Sequence, residues 1–534
     1  MNCLSNQDII ELLDLPDEMI LNIMNKVKPQ ALLLCSIINI GNHRLEQLAL
    51  DKYHSIDLTF DYEYYPHGLL LKRFYIDVFP RIYNNIQSLT IHTKHLFPIH
   101  TALDAIPDTL LPNLRHLKIL INRRHPHIGT PFTIAFYYDQ RSYNFPLYAT
   151  VPQFVYMRDK LIDALLLWIR SAPLMSSINS FEFDHYAPLI VPVNNENLFF
   201  AQSSYLTDVS ITLKELPDCV RLLNQLGSQL YSFTVNIIDA CVGNVDITSE
   251  IESICCCNLK KFKMTIYRNM LAYEKYLLPL LQHLSSVKYL TLLLAIYITK
   301  SNRFVDGFHL ERNIVSHMPH LCQFDFHIRS VLKNFSYIEL DIVRQSFVKQ
   351  KSMDYTIEYF NNRYGQCHIY SLPFIGDRLD FISNRFPLFD NKNTFINITM
   401  LLLFDDVKPF ENVFFERITL SLPHLRTLEI FNQLEQEEKA KIRTTNYIEF
   451  SHLSTLILHC IHMDYGEQLL CRTHLPHLVE LVIRNNVLLT IIDQDNQQAR
   501  NNCLNVERLF IVEPWIEPTS VHLKFFPKLY MKNF

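Results

Sequence analysis

The densest set of side chains able to ligate a metal is His459-Cys460-x-His462 followed by Cys471-x-x-His474. Thiols mixed with imidazoles suit zinc, but structural zinc sites pair their ligands at short, repeated spacings that this set lacks. Cys460 and His462 also follow directly on a strand pattern described below, so ordinary turn packing accounts for them better. No His-Glu-x-x-His occurs, and no serine or cysteine stands in a nucleophile motif. Only nine glycines are present, and the closest two, Gly365 and Gly376, are eleven residues apart. A Gly-rich phosphate loop, a dinucleotide fingerprint and a nucleophile elbow are therefore all excluded. Neither a catalytic site nor a metal or cofactor is expected.

Charge narrows the partners. Lys and Arg number 49 against 54 Asp and Glu, a formal net charge of −5, which gives no field to gather nucleic acid or anionic lipid. The densest basic spot, Arg123-Arg124 with His125 and His127, is short enough to be a solvated loop. Met1–Ile10 has neither the basic nor the apolar region of a signal peptide. The longest nearly apolar run, Tyr289–Ile298, is far below the ~20 residues that span a bilayer. No membrane association is expected, and the location implied is cytoplasmic or nuclear. Cys255, Cys256 and Cys257 stand side by side, which does not suit a spaced disulfide framework, so the cysteines are read as reduced. In that compartment the Asn-x-Ser/Thr triplets at Asn334 and Asn397 carry no glycan.

With chemistry set aside, the chain shows a recurring template: an apolar residue, two variable ones, an apolar one, one variable, and an apolar one. It matches the end of a strand with one buried face. The triplets are Ile86/Leu89/Ile91, Leu114/Leu117/Ile119, Ile178/Phe181/Phe183, Leu206/Val209/Ile211, Leu230/Phe233/Val235, Leu259/Phe262/Met264, Val287/Leu290/Leu292, Leu321/Phe324/Phe326, Ile398/Leu401/Leu403, Leu425/Leu428/Ile430, Leu453/Leu456/Leu458, Leu478/Leu481/Ile483 and Val506/Leu509/Ile511. Successive first positions are 28, 64, 28, 24, 29, 28, 34, 77, 27, 28, 25 and 28 residues apart, and nine of these twelve steps fall between 24 and 29. A period of that length fits one strand and one helix per unit. Helical spacing lies between the strands at Leu161, Leu165 and Trp168, at Val220, Leu223 and Leu226, and at Phe410, Phe414, Ile418 and Leu422. A proline before the strand ends the helix at Leu111-Pro112-Asn113-Leu114, Met318-Pro319-His320-Leu321, Leu422-Pro423-His424-Leu425 and Leu475-Pro476-His477-Leu478. Repeat position thus explains the histidines at 320, 424 and 477.

This array, from about residue 80 to 534, resembles leucine-rich repeats. The resemblance implies a solenoid with a curved parallel sheet. The asparagine that usually closes the strand appears only at Asn122 and Asn486. The two long gaps hide degenerate units or hold insertions, near 120–177 and 327–397, and in the second Tyr355–Phe360 and His368–Leu372 read as two strands.

Residues 12–50 form a different unit. Leu15-Pro16-Asp17-Glu18 opens a helix with proline in the first turn and acids where the dipole favours them. Ile20, Ile23, Met24 and Val27 are expected to share its buried face. Pro29 ends it, Ala31–Ile38 suits a second helix, and Gly41-Asn42 turns into a third with Leu45, Leu48 and Ala49 inward. Leu15, Met19 and Leu21 lie off the main apolar face, which suggests a second surface for a partner. The unit resembles the F-box through Leu15-Pro16-x-Glu18, Ile20-Leu21, Ile23-Met24, Val27 and Arg44-Leu45. By that resemblance Leu15, Pro16, Glu18, Ile20, Leu21, Ile23 and Met24 contact a Skp-family adaptor of a cullin ubiquitin ligase. Ile38-Asn39-Ile40-Gly41-Asn42 stands where the family has Cys-Arg-x-Trp.

The fold class expected is therefore α/β, with an F-box-like module over 10–58 and an irregular leucine-rich-repeat-like solenoid over 59–534. The function implied is a substrate-recognition subunit without its own catalytic site; the alternative is an interaction scaffold with a degenerate F-box. On each strand the residues between the apolar positions face away from the core. They place a protein substrate on Glu429, Phe431, Ile457, His459, Glu480, Val482, Arg484, Arg508 and Phe510, unless the C-terminal segment or an insertion covers that face. Mass spectrometry of alkylated protein from cells is expected to show every cysteine as a free thiol; a stable disulfide at Cys255, Cys256 or Cys257 would overturn the intracellular reading.

Overall fold

The computed structural model describes residues 12–28, 30–51, 56–60, 68–92, 111–120, 177–183, 191, 205–239, 246–299, 303–333, 343, 345–347, 353–359, 364–386, 394–437, 448–512 and 518–530. The fold is mixed α/β, with large, mostly parallel sheets and several helices. Two compact units divide the chain: Met1–Met264 with Pro279–Tyr289 and His317–His320, and Thr265–Leu278 with Leu290–Ser316 and Leu321–Phe534.

The first unit opens with three helices, α1 (Asp17–Lys26), α2 (Gln30–Ile37) and α3 (His43–Leu50). Pro16 caps α1 with Asp17 and Glu18 in the first turn, where a missing N–H costs nothing and acids meet the helix dipole. Gly41, at φ 99°, turns the chain toward α3, and the Asn42 side chain accepts the Leu45 N–H at 3.1 Å. Ile20, Met24, Ala31, Leu34, Leu48 and Ala49 are buried between the helices. The next element, β1 (Ile56–Phe60), is already a strand of the sheet, pairing in parallel with β2 (Ile86–His92). The expected boundary after residue 58 thus falls inside β1. Gln30, itself buried, accepts the Asp57 N–H at 2.6 Å and ties α2 to that strand.

After β2 come β3 (His116–Leu120), β4 (Ser180–Phe183), β5 (Asp208–Leu213) and β6 (Ser232–Ile237), lying side by side in chain order, all parallel. Equivalent template residues sit opposite one another: Leu89 faces Leu117, Leu117 faces Phe181, Phe181 faces Val209 and Val209 faces Phe233. Across the chain every template residue except Leu321 and Phe324 is buried. Because β3 pairs directly with β4, the 64-residue step adds no strand between them. Residues 121–176, including Asn122, Arg123-Arg124 and the Leu161 helix pattern, lie outside the described residues.

One main-chain contact recurs in most units. The carbonyl just after the template's first residue accepts two N–H groups from the start of the next strand. Arg115 O takes Asn179 and Ser180, Asn179 O takes Thr207 and Asp208, Thr207 O takes Tyr231 and Ser232, and Tyr231 O takes Lys260 and Lys261. A reverse turn precedes several of the strands: Leu114 N–H donates to Leu111 O at 3.1 Å and Leu425 N–H to Leu422 O at 3.1 Å.

The remaining strands are β7 (Lys261–Met270), β8 (Tyr289–Ile298), β9 (Gln323–Lys333), β10 (Met353–Tyr359), β11 (Tyr364–Ser371), β12 (Arg378–Ile382), β13 (Met400–Phe404), β14 (Thr427–Asn432), β15 (Ile448–Glu449), β16 (Thr455–Ile461), β17 (Thr473–His474), β18 (Glu480–Arg484) and β19 (Arg508–Val512). In the second unit β11 joins β9 antiparallel and β10 joins β11 antiparallel, β10 and β11 being the two strands read from sequence at Tyr355–Phe360 and His368–Leu372. A separate six-stranded sheet follows, β12-β13-β14-β16-β18-β19, parallel throughout. Its first strand, β12, is the degenerate unit hidden in the 77-residue step. Two expectations are corrected here. The strands do not make one continuous sheet, because the antiparallel hairpin interrupts the parallel order. The eleven-stranded sheet is not curled.

The helix Leu216–Leu226 buries Val220, Leu223 and Leu226, and Asn412–Ser421 buries Phe414 and Ile418, as their spacing requires. Among the described residues no helix is long and apolar enough to cross a membrane. Gly227 lets the first of these helices approach the cysteine loop: a Cβ there would strike the Leu223 carbonyl and come within 2.6 Å of Cys256 Sγ. Gly227→Ala is therefore expected to cost about 1–3 kcal/mol by overpacking, measured as a lower urea midpoint at unchanged slope.

Candidate functional site

The two sets of side chains expected to bind partners fare differently. In the helical unit, the packing of α1 divides the expected contact residues. Ile20 and Met24 are 0% and 2% exposed and belong to the core, so they are corrected from contact residues to core residues. Leu15 and Leu21 are half-buried, and Pro16 and Glu18 are exposed. Ile23 and Val27, expected to point inward, lie outside with 39% exposure each, beside Met19 at 50%. A helix this apolar can present two candidate faces, and only the packed helices choose between them. Met19 and Ile23 are one turn apart and Val27 follows at the same interval, so the three form a stripe. Leu12 and Leu13, also exposed, lie in the turn before it.

Arg44 on α3 holds that turn in place. Its guanidinium donates to the Asp17 carboxylate at 2.7 and 3.0 Å, to Leu15 O at 2.8 Å and to Leu13 O. The planar fork of arginine suits such a clamp better than a lysine would. The link between α2 and α3 is fastened from further along the chain, where Arg81 donates to the Asn39 side chain at 2.8 Å and pairs with Glu46. This pairing holds the Glu46 carboxyl below the usual range.

The C-terminal face is interior rather than surface. Glu429, Phe431, Ile457, Glu480 and Val482 are all buried, at 8% exposure or less, and cannot receive a substrate. Arg484 and Phe510 are half-buried. Arg508 pairs with Glu480 directly across β18 and β19 at 2.8 Å. The side chain of His459 lies outside what is described. These positions are therefore covered rather than open.

Around Glu429 the cover is a charged network built within the second unit. Arg378 donates to both oxygens of Asp380 at 2.8 Å, and its guanidinium lies 5.0 Å from the centre of the Tyr267 ring. The Tyr267 hydroxyl in turn donates to Asp377 at 3.3 Å. Arg329 sits 4.3 Å from the Phe381 ring centre and donates to Asn269 at 2.7 Å. Phe381 has φ 58°, at a bulge in β12, and its carbonyl accepts the Gln366 amide at 2.7 Å. The bulge redirects the ring toward Arg329, at the cost of a strained backbone. Burial pushes the Glu429 carboxyl up to about 8, against the pull of Arg378. Beside the network, His327 and His368 stack with nitrogens 3.1 Å apart, and burial pushes His327 down to about 3. Both rings are thus neutral at physiological pH. Sequence reading missed Tyr267, Arg329, Arg378 and Asp380, because the partners that join them are far apart in the chain.

The zinc candidates are engaged separately. The His462 ring accepts the Asp464 N–H, His474 faces Glu449 at 3.4 Å, and Cys460 and Cys471 are buried. No group of three His, Cys, Asp or Glu that could hold a metal occurs among the described residues. Cys255 and Cys257 are exposed free thiols, and burial pushes Cys256 up to about 12. No known protein family matches this chain, and no curated protein is similar to it.

The buried acid gives a pH signature. Its folded value lies above its unfolded one, so the folded state holds an extra proton between the ordinary carboxylate range and about pH 8, and stability falls as pH rises through that window. Glu429→Gln is expected to flatten the loss of Tm between about pH 5 and pH 8. A variant whose Tm falls as steeply as the parent's would show that Glu429 is ionised in the fold. Arg378→Ala, which strands Asp380, is expected to destabilise by about 3–5 kcal/mol at neutral pH, read from urea unfolding.

Proposed function

We propose that this chain is the substrate-recognition subunit of a Skp-cullin-F-box type ubiquitin ligase. The helical unit would dock on the adaptor, and a leucine-rich-repeat-like solenoid would hold a protein substrate near the transferring enzyme, so that catalysis comes from proximity. The observation that carries the reading is the exposed stripe Met19, Ile23 and Val27 with Leu12 and Leu13, displayed on a helix whose other face is already packed. Adjacent apolar side chains of this size suit a hydrophobic groove on a partner. The in-register template residues of β2–β6 and of β13, β14, β16, β18 and β19 support the repeat reading. The second reading, a scaffold with a degenerate F-box, is favoured by one feature: the α2–α3 link carries Asn39 at φ 60° and Gly41 at φ 99° in place of the family's Cys-Arg-x-Trp.

Co-purification with a Skp adaptor separates the two. The parent chain is expected to capture it, and Met19→Glu with Ile23→Glu to lose capture by roughly 30-fold or more, as the loss of a buried apolar anchor at about 2 kcal/mol implies. The same variant should keep the parent's Tm, because both positions are outside the core. No capture by the folded parent would leave the scaffold reading alone.

A further inference from the structure

In the first unit, the start of the strands beyond β6 carries a concentration of cations without a carboxylate partner among the described residues. Lys261 and Lys263 alternate with the buried Phe262 and Met264 at the start of β7, so both project from the face opposite the core, and both are exposed. Lys260 immediately precedes them, and Lys288 occupies the equivalent position before β8. The recurring carbonyl contact places these residues on adjacent strands: Lys260 and Lys261 N–H groups bind Tyr231 O, and Lys288 and Tyr289 N–H groups bind Lys260 O. Two exposed rings stand in the same band, Tyr231 at 45% and Tyr289 at 44%. The Lys261 ammonium lies 5.8 Å from the Tyr231 ring centre.

None of these four lysines is within ion-pair distance of a carboxylate among the described residues. Lys260 instead donates to the main-chain carbonyls of Cys257 and Ser286 at 3.2 and 3.5 Å. The contrast with the neighbouring strands is sharp, since Lys118 on β3 is paired with Glu182 on β4. On the same face of this unit Asp208 stands on β5, with β6 and its Ser232 and Thr234 between.

We propose that this tyrosine-lysine band binds an acidic, aromatic-containing segment of a partner protein, and that it is the substrate-docking surface of the array. The inference deepens the proposed function and rests on its second half, the array as the substrate-binding part; it does not depend on the adaptor. Four uncompensated ammonium groups select carboxylates, while the tyrosine rings offer amphipathic contact area at little conformational cost. The extent of the band decides against nucleic acid. Strands lie ~4.8 Å apart, so the step from β6 to β8 is ~10 Å, room for a few acidic residues. A phosphodiester strand continuing across the sheet would meet Asp208 and Glu182, whereas single-strand binders provide a longer cationic groove.

The test uses the purified full chain and a fluorescein-labelled peptide alternating glutamate with phenylalanine, read by fluorescence anisotropy. Binding is expected, and it should weaken at about 1 M salt, where the Debye length is ~3 Å. Lys261→Glu with Lys263→Glu and Lys288→Glu should weaken it roughly tenfold or more, and Tyr231→Ala with Tyr289→Ala should weaken it at unchanged salt dependence. The milder Lys→Ala triple variant, with circular dichroism and Tm equal to the parent's, guards against a folding artefact. The proposal is overturned if the parent does not bind the peptide, if the charge-reversed chain binds it as tightly, or if a labelled oligouridylate of similar charge binds the parent more tightly. Adaptor capture measured on the same preparations separates outcomes: a chain that captures the adaptor and ignores the peptide keeps its ligase reading and loses this surface.

Discussion

The register of most parallel steps in the array depends on one carbonyl per unit, at the residue after the template's first position. By accepting two N–H groups from the next strand's start, it fixes where that strand begins, and a parallel ladder follows from it. A slip of one residue would turn every template side chain to the other face. With register fixed, Leu401, Leu428, Leu456, Leu481 and Leu509 form one buried row across five strands. Each such side chain contributes about 1.5–3 kcal/mol by leaving water. Position in the row, more than residue type, decides burial, which is why phenylalanine, valine and methionine replace leucine without disturbing the pairing.

The same geometry explains which expectations were legible in sequence. A period of 24 to 29 residues survives degeneration because each template is local, three apolar positions within six residues. The β10–β11 hairpin was legible for the same reason. The strand β12 was not, because Gly376 stands at the template's first position and the bulge between Leu379 and Ile382 moves the third position to Ile382. The division of α1 into a packed and an exposed face was misjudged at Ile23 and Val27. Apolar residues lie on both sides of this helix, and which side is covered depends on α2 and α3 rather than on α1 itself.

The expected docking face failed for a different physical reason. Alternation along a strand shows that Glu429 and Ile457 point away from one core, but not that water lies on the other side. Tyr267 meets Asp377 across 110 positions and Arg329 meets Asn269 across 60, separations that no local pattern encodes. The acids and bases gathered there are retained at a desolvation cost, which their mutual pairing offsets. Glu429 escapes part of that cost by remaining protonated.

The antiparallel hairpin on β9 has a consequence for how the protein can change over time. A parallel array of like units can lengthen or shorten wherever a strand of the same polarity can be added. Reversing polarity at β11 and again at β10 stops that growth from one side, and the six strands that begin at β12 start afresh with their own ladder. Pairing within the later sheet can therefore shift without shifting the register of β9, so the hairpin works as a firebreak between two separately registered ladders.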